Sequence, residues 1–300
     1  MKNWLKRIGA DAGWAAMRLS ETLVKSRMTG YAVALGRAVG AALWLLVRSR
    51  RNLALRNARV VLPTLAERER RRVVREAAVD SVSHWPEVVS YAYAGTRRIL
   101  STVTVEGREN LDRALARGRG VIAPSVHLGN FALIGIWMTQ AGYEFYFLTR
   151  YPHDPRLVRR FVYLRRYRLG IGAIRDLPRR ECTRGLLAAL ERNAIVYMQL
   201  DQPSRDVYVE VPFFGRPFGA FMGPVTLALK TGAALVPMYI LRERGPRQRL
   251  VIEPEFPLAR TGDRRADAEA GLRALMAHFE KWIVSHPDQW WWVSRRWRGV

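Results

Sequence analysis

One cysteine, Cys182, in 300 residues excludes an intrachain disulfide framework and any Cys-x-x-Cys metal site. A reducing, cytosol-facing setting follows. The five histidines (His84, His127, His153, His278 and His286) stand at no HExxH-like spacing, so no metal is expected, and nothing points to a cofactor. Acidic residues are scarce as well: 26 Asp+Glu face 50 Lys+Arg, for a formal charge of +24. That imbalance predicts attraction to a polyanion, whether nucleic acid, anionic phospholipid, a phosphorylated glycolipid or an acidic carrier protein. Arginine supplies almost all of the excess, and a high-GC genome would give the same bias, so charge alone decides nothing. Long apolar runs are missing too. The longest, Ala38 to Val47, is half the roughly 20 residues a bilayer crossing needs and is closed by Arg37 and Arg48. No small-residue cleavage site follows a suitable apolar run, so no signal peptide is expected.

What the chain does have is enough apolar residues, 49%, for a sizeable core. Near the start, Trp4, Leu5, Ile8, Trp14, Met17 and Leu23 interleave with Lys2, Lys6, Arg7, Arg18, Lys25 and Arg27 at helical spacing. This is the pattern of an interfacial amphipathic helix, although a helix packed on the protein core is written the same way. Helical texture runs from Met1 to about Tyr93. It includes 65–83, where Thr64 and Glu67 stand at capping-box spacing.

Beyond that point strands and helices alternate. Strands are expected at 102–105, 121–123, 145–149, 194–200, 234–241 and 249–253, and helices at 111–117, 155–167, 181–192, 223–230 and 267–285. The alternation predicts an α/β fold: a mainly parallel central sheet flanked by helices, preceded by an amphipathic N-terminal helical region. The division is a helical, membrane-associating front over 1–95 and an α/β body over 96–300, built as one structural unit.

The segment Ala123-Pro-Ser-Val-His127-Leu-Gly-Asn130-Phe-Ala132 leaves a buried strand and opens a helix. Side chains at the carboxyl end of a parallel strand face the crevice where α/β proteins bind ligands. There His127 can take a proton from a substrate hydroxyl, given a partner that fixes its tautomer. Gly129 and Asn130 permit a tight turn and offer amide donors to developing negative charge. A lone histidine in such a loop is more often structural.

The string HLGNFALIG is similar to the HLGNWE-type block of the lysophospholipid/lipid A biosynthesis acyltransferase superfamily. Further blocks match in the same order: RNLALRNARVVLP, LTRYPHDP, the long stretch from Met198 to Arg242, and HPDQWWWVSRRWR from His286 to Arg298. Together they span roughly 40–298 and resemble the branch of lauroyl/myristoyl and phosphatidylinositol mannoside acyltransferases. The resemblance implies a glycerol-3-phosphate acyltransferase-like fold. It also implies fatty acyl transfer from an acyl carrier protein or CoA thioester to a hydroxyl of a lipid or glycolipid, with His127 as general base. Arg150 would hold an acceptor phosphate or developing charge. Gln202 would bind substrate, and Phe213, Phe214 and Gly215 would shape the acyl pocket. Placement would be peripheral or monotopic on the cytoplasmic, anionic face of a bacterial inner membrane.

The departure from the family pattern is Ala132, which stands where the family has Asp or Glu. Three readings stay open: Asp201, at another strand end, replaces the acid; the alanine is an engineered substitution; or the chain is a degenerate member that binds lipid or a partner without turnover. A different class of function, nucleic-acid binding through arginines and the Trp290–Trp292 and Trp297 cluster, lacks a recognisable module. No nucleic-acid partner is expected.

Overall fold

Four helices lead the chain: α1 (Lys2–Lys25), α2 (Thr29–Leu46), α3 (Arg48–Val61) and α4 (Glu67–Ala94). The computed structural model describes residues 2–150, 154–204, 208–297 and 299, and all side chains among them except those of 2–10, 12 and 94. Tyr151, Pro152, His153, Arg205, Asp206, Val207 and Arg298 of the motif blocks therefore lie outside the described residues. So do the side chains of Trp4, Leu5 and Ile8, which carry part of the amphipathic reading of α1.

Helix α2 corrects the estimate of the longest apolar element. Arg37 does not end the helix, and all 18 residues, of mean hydropathy 1.3, are long and apolar enough to cross a membrane by length and composition. Only 22% of it is buried. Its inner face carries Ala32, Gly36, Gly40 and Trp44 against α4, while Tyr31, Leu43, Leu45 and Leu46 are exposed. The charge of Arg37 is met by Asp80 on α4. Gly40 lets the two backbones touch, since a Cβ there would lie 2.7 Å from the Val79 carbonyl oxygen. Gly40→Leu is expected to destabilise the chain by about 1–3 kcal/mol, read as a lowered denaturation midpoint; an unchanged midpoint would contradict this packing.

The capping box expected at Thr64 is not made. Helix α4 starts at Glu67 with Ala66 as its cap and no side-chain cap bond. Instead the Arg70 guanidinium donates to the carbonyls of Leu62, Pro63 and Leu65 and pairs with Glu67. The arginine holds the turn that a threonine hydroxyl was expected to hold.

The body begins with α5 (Ile99–Thr102), β1 (Val103–Glu106), α6 (Arg108–Leu115), β2 (Val121–Ser125), α7 (Ala132–Gln140) and β3 (Phe145–Thr149). Next come α8 (Pro155–Val162), continued as a π turn over Tyr163–Arg168, β4 (Gly172–Arg175), α9 (Arg179–Glu191) and β5 (Ile195–Gln199). A hairpin, β6 (Val209–Phe213) and β7 (Arg216–Ala220), precedes α10 (Gly223–Thr231), β8 (Ala234–Leu235), β9 (Met238–Arg242), β10 (Gln248–Ile252) and α11 (Arg264–Ser285).

Five strands form the expected parallel sheet in the order β4-β3-β5-β2-β8. A second, mixed sheet has the order β1-β10-β9. The single strand expected at 234–241 is thus two strands in two sheets. Pro237 supplies no ladder N–H, so the chain leaves the first sheet there and enters the second. Strand β2, buried along its whole length, lies between β5 and β8, as a strand covered on both faces must.

Candidate active site

The register of the parallel sheet sets the height of its functional residues. Ser125 of β2 stands beside Gln199 of β5, and both chains run the same way. Two residues past each partner come His127 and Asp201, level with one another at the carboxyl edge. The imidazole Nδ1 lies 2.6 Å from Asp201 Oδ1, and the His127 backbone N–H donates to that same oxygen at 3.1 Å. A carboxylate accepts at this contact, so Nδ1 is the donor, and in the neutral ring Nε2 then keeps its lone pair. Nε2 faces the exposed amide of Gln202 at 3.2 Å. The ring is not sealed in the interior, since 18% of the side chain reaches solvent.

Asp201 is fully buried. Its second oxygen accepts from Trp290 Nε1 at 2.9 Å and from Arg296 Nη2 at 2.8 Å, giving the carboxylate four N–H donors. Burial by itself would push the carboxyl pKa up; the charges and hydrogen bonds of His127 and Arg296 outweigh it and hold Asp201 well below the usual carboxylate range.

The C-terminal segment closes the site from the third side. Leu128 bridges to Trp290, the Gly129 N–H donates to the Gln289 carbonyl, and the Trp291 N–H donates to the His127 carbonyl. Gly129 has φ +56°, and a Cβ there would meet the Ile240 carbonyl oxygen at 2.2 Å, so only glycine fits. The Asn130 amide bonds Glu87 and the His84 carbonyl on α4. In this structure, then, the Gly129 amide and the Asn130 side chain brace the loop. Glu87 in turn pairs with Arg242, which also holds Asp80.

Ala132 is the first residue of α7, half-buried among the apolar side chains packed on the inner core. The ring nitrogen that an acid at this position would orient is already held by Asp201. Arg150 follows β3 on the same edge of the sheet, is mostly exposed and pairs with Asp176 at 2.6 Å. Phe214 and Gly215 form the two-residue turn of the β6–β7 hairpin, both with positive φ as such a turn requires. Phe213 is buried, with its ring 6.5 Å from that of Trp290 and 6.0 Å from that of Trp297. It thus underlies the indole that bonds Asp201.

The family model described as bacterial lipid A biosynthesis acyltransferase matches residues 5–299, nearly the whole chain. The chain belongs to this acyltransferase family. Among relatives, a phosphatidylinositol mannoside acyltransferase of Mycobacterium tuberculosis is 28% identical over 220 residues, covering 71% of this chain and 66% of the relative. A lipid A biosynthesis palmitoleoyltransferase of Escherichia coli is 26% identical over 274 residues, 88% of this chain and 84% of the relative. A lipid A biosynthesis lauroyltransferase of the same organism is 24% identical over 303 residues, 98% and 92% respectively. The chain thus spans about two thirds of the mycobacterial relative and most of the two others. The sequence signal for Trp290 and Arg296 is their place in the matching block from His286 to Arg298, which says nothing of a role at the site. They come 89 and 95 residues after Asp201 in a segment without periodicity, where tryptophans and arginines read as packing or as an interfacial belt.

Proposed function

We propose that the chain transfers a fatty acyl group from a carrier-protein or CoA thioester to a hydroxyl of a membrane lipid or glycolipid, with His127 as base and Asp201 as its orienting acid. The observation that carries this reading is the 2.6 Å contact between Asp201 and Nδ1, which makes Nε2 the lone-pair nitrogen of the neutral ring, at an accessible strand end. Gln202 occupies the position from which the acceptor hydroxyl would approach. Nε2 takes the hydroxyl proton while the oxygen attacks the thioester carbonyl carbon. The tetrahedral oxyanion then collapses, the C–S bond breaks, and the imidazolium returns the proton to the leaving sulfur. No acyl-enzyme forms. Arg150, beyond β5 on the same edge, suits the acceptor's phosphate once Asp176 yields it. Glu87 and Arg242, joined to the catalytic loop through Asn130, line a cavity of about 530 Å³, a size typical of ligand sites.

Membrane attachment is part of the proposal. The exposed apolar side of α2 and the +24 charge suit an anionic bilayer, and both thioester donors are anionic. The test is the purified chain on anionic lipid vesicles that contain a hydroxylated lipid, given acyl-CoA or acyl carrier protein. Binding to the vesicles with release of free thiol matched by lipid ester supports the reading; hydrolysis alone, or no thiol release from either donor, contradicts it.

Because Asp201 holds Nδ1, a carboxylate restored at 132 has no orienting task left. Ala132→Glu is expected to leave kcat/KM within about threefold of wild type or to lower it, since a second negative charge beside the pair perturbs its titration. A rise of tenfold or more in the same thiol-release assay would show instead that the natural site is impaired.

A further inference from the structure

The Arg296 guanidinium reaches the acid of the pair through its ion pair with Asp201. Its side chain is fully buried. Nε donates to the Asp201 carbonyl at 2.9 Å and Nη2 to the Asp201 carboxylate at 2.8 Å, so both polar ends of one residue are gripped by one planar group. Nη2 also donates to the Trp291 carbonyl at 2.7 Å, and the guanidinium lies 3.7 Å from the centre of the Trp290 ring. Trp290 donates to the same carboxylate oxygen as Arg296.

A buried carboxylate facing an imidazole alone would pull strongly for the imidazolium and leave the base protonated near neutrality. A fixed cation on the opposite carboxylate oxygen cancels part of that pull while leaving the hydrogen bond to Nδ1 intact. We propose that Arg296 is a positioning residue that acts through Asp201, fixing the carboxylate and keeping the His127 imidazole neutral and ready to accept a proton. The inference deepens the assignment of His127 as base and rests on it.

Other charged or titratable groups face the pair from a greater remove. The buried Tyr197 phenol on β5 feels Asp201 and is kept neutral, its pKa pushed up chiefly by burial. His84 and Glu87 of α4 meet the loop at Asn130, three residues beyond His127. Gln202 and Trp290 contribute no charge.

The experiment is an NMR titration of the His127 imidazole in the whole chain, identified by its loss in His127→Ala, for wild type, Arg296→Met and Arg296→Lys. In Arg296→Met the titration midpoint is expected to rise by about one pH unit, and the acid limb of the thiol-release rate to move up with it. In Arg296→Lys, which keeps a cation near the carboxylate but loses the stacked, forked hold of the guanidinium, the midpoint is expected to rise less than in Arg296→Met. If Arg296→Met does not fold, Arg296→Gln, which keeps an N–H donor without the charge, carries the same expectation. A folded Arg296→Met or Arg296→Gln with the wild-type midpoint overturns the proposal, as does a rate that falls equally at every pH. The imidazole titration needs no turnover. A wild type without His127-dependent acyl transfer therefore sinks the functional reading while leaving the role of Arg296 to be decided by the midpoints.

Discussion

Asp201→Asn is expected to lower kcat by about 10³ to 10⁴-fold while the protein still binds lipid vesicles, by analogy with removing the orienting carboxylate of a hydrolytic triad. The reason is tautomeric. An asparagine amide turned to donate to Nδ1 leaves the proton on Nε2, where the acceptor hydroxyl must give its own. The variant also leaves Arg296 as a buried cation without its charge partner, which costs about 3–5 kcal/mol of stability, so the rate loss is to be read on protein shown to be folded. Wild-type Asp201 has a folded-state pKa below its unfolded value. Its stabilising contribution is therefore complete above roughly pH 4 and is lost as pH falls toward the folded value. Acid unfolding of Asp201→Asn should lack that component. An Asp201→Asn protein with more than about a tenth of wild-type kcat would show that another group orients the imidazole.

The second large effect belongs to the base. His127→Ala removes the proton acceptor yet leaves Asp201 its bonds to Trp290 and Arg296, so the fold should survive better than in Asp201→Asn. General-base removal is expected to cost on the order of 10² to 10⁴ in kcat, with a smaller change in KM, because the imidazole acts on the proton in flight more than on the bound substrate. The pH dependence sharpens this. Asp201 stays ionised across the neutral range, so the rise of rate with pH in wild type reports His127, and the residual rate of His127→Ala should lack that limb. A KM effect with kcat unchanged would make His127 a binding group.

Much of the architecture could be read from the chain because the physics was local. The β2 run Val121-Ile-Ala is apolar without alternation, which only a strand buried on both faces tolerates, and His127 followed it at a turn. Where readings failed, the deciding force was distant or unusual. The hairpin β6–β7 was missed because Pro212 and Pro217 argue against strands, yet the two prolines sit opposite one another, in a two-stranded ribbon where one missing N–H is tolerable. Strand β4, Gly172-Ala-Ile-Arg, is too short and too glycine-rich to show alternation and is made a strand by its ladder to β3. The run 234–241 read as one strand because nothing local says that Pro237 marks a change of sheet.

The site divides in the same way. His127 and Asp201 were each visible as a polar residue just past a buried strand, and their meeting needed only the β2–β5 register. The third side showed only as a matching block without a role, for a physical reason: Trp290 and Arg296 belong to an irregular segment whose conformation is fixed by what it touches, including the loop it pairs with at Leu128 and Gly129. The absent acid at 132 left three readings open; the contact between Asp201 and Nδ1 supports the one in which Asp201 takes its place.

Mass spectrometry of lipids from bacterial cells that express the wild-type chain or His127→Ala, against cells with neither, tests the central claim most directly. The account predicts a lipid heavier by one fatty acyl group, labile to mild base as an ester, in the wild-type cells alone. Equal acylation by His127→Ala, or no new acylated lipid in the wild type, would contradict it.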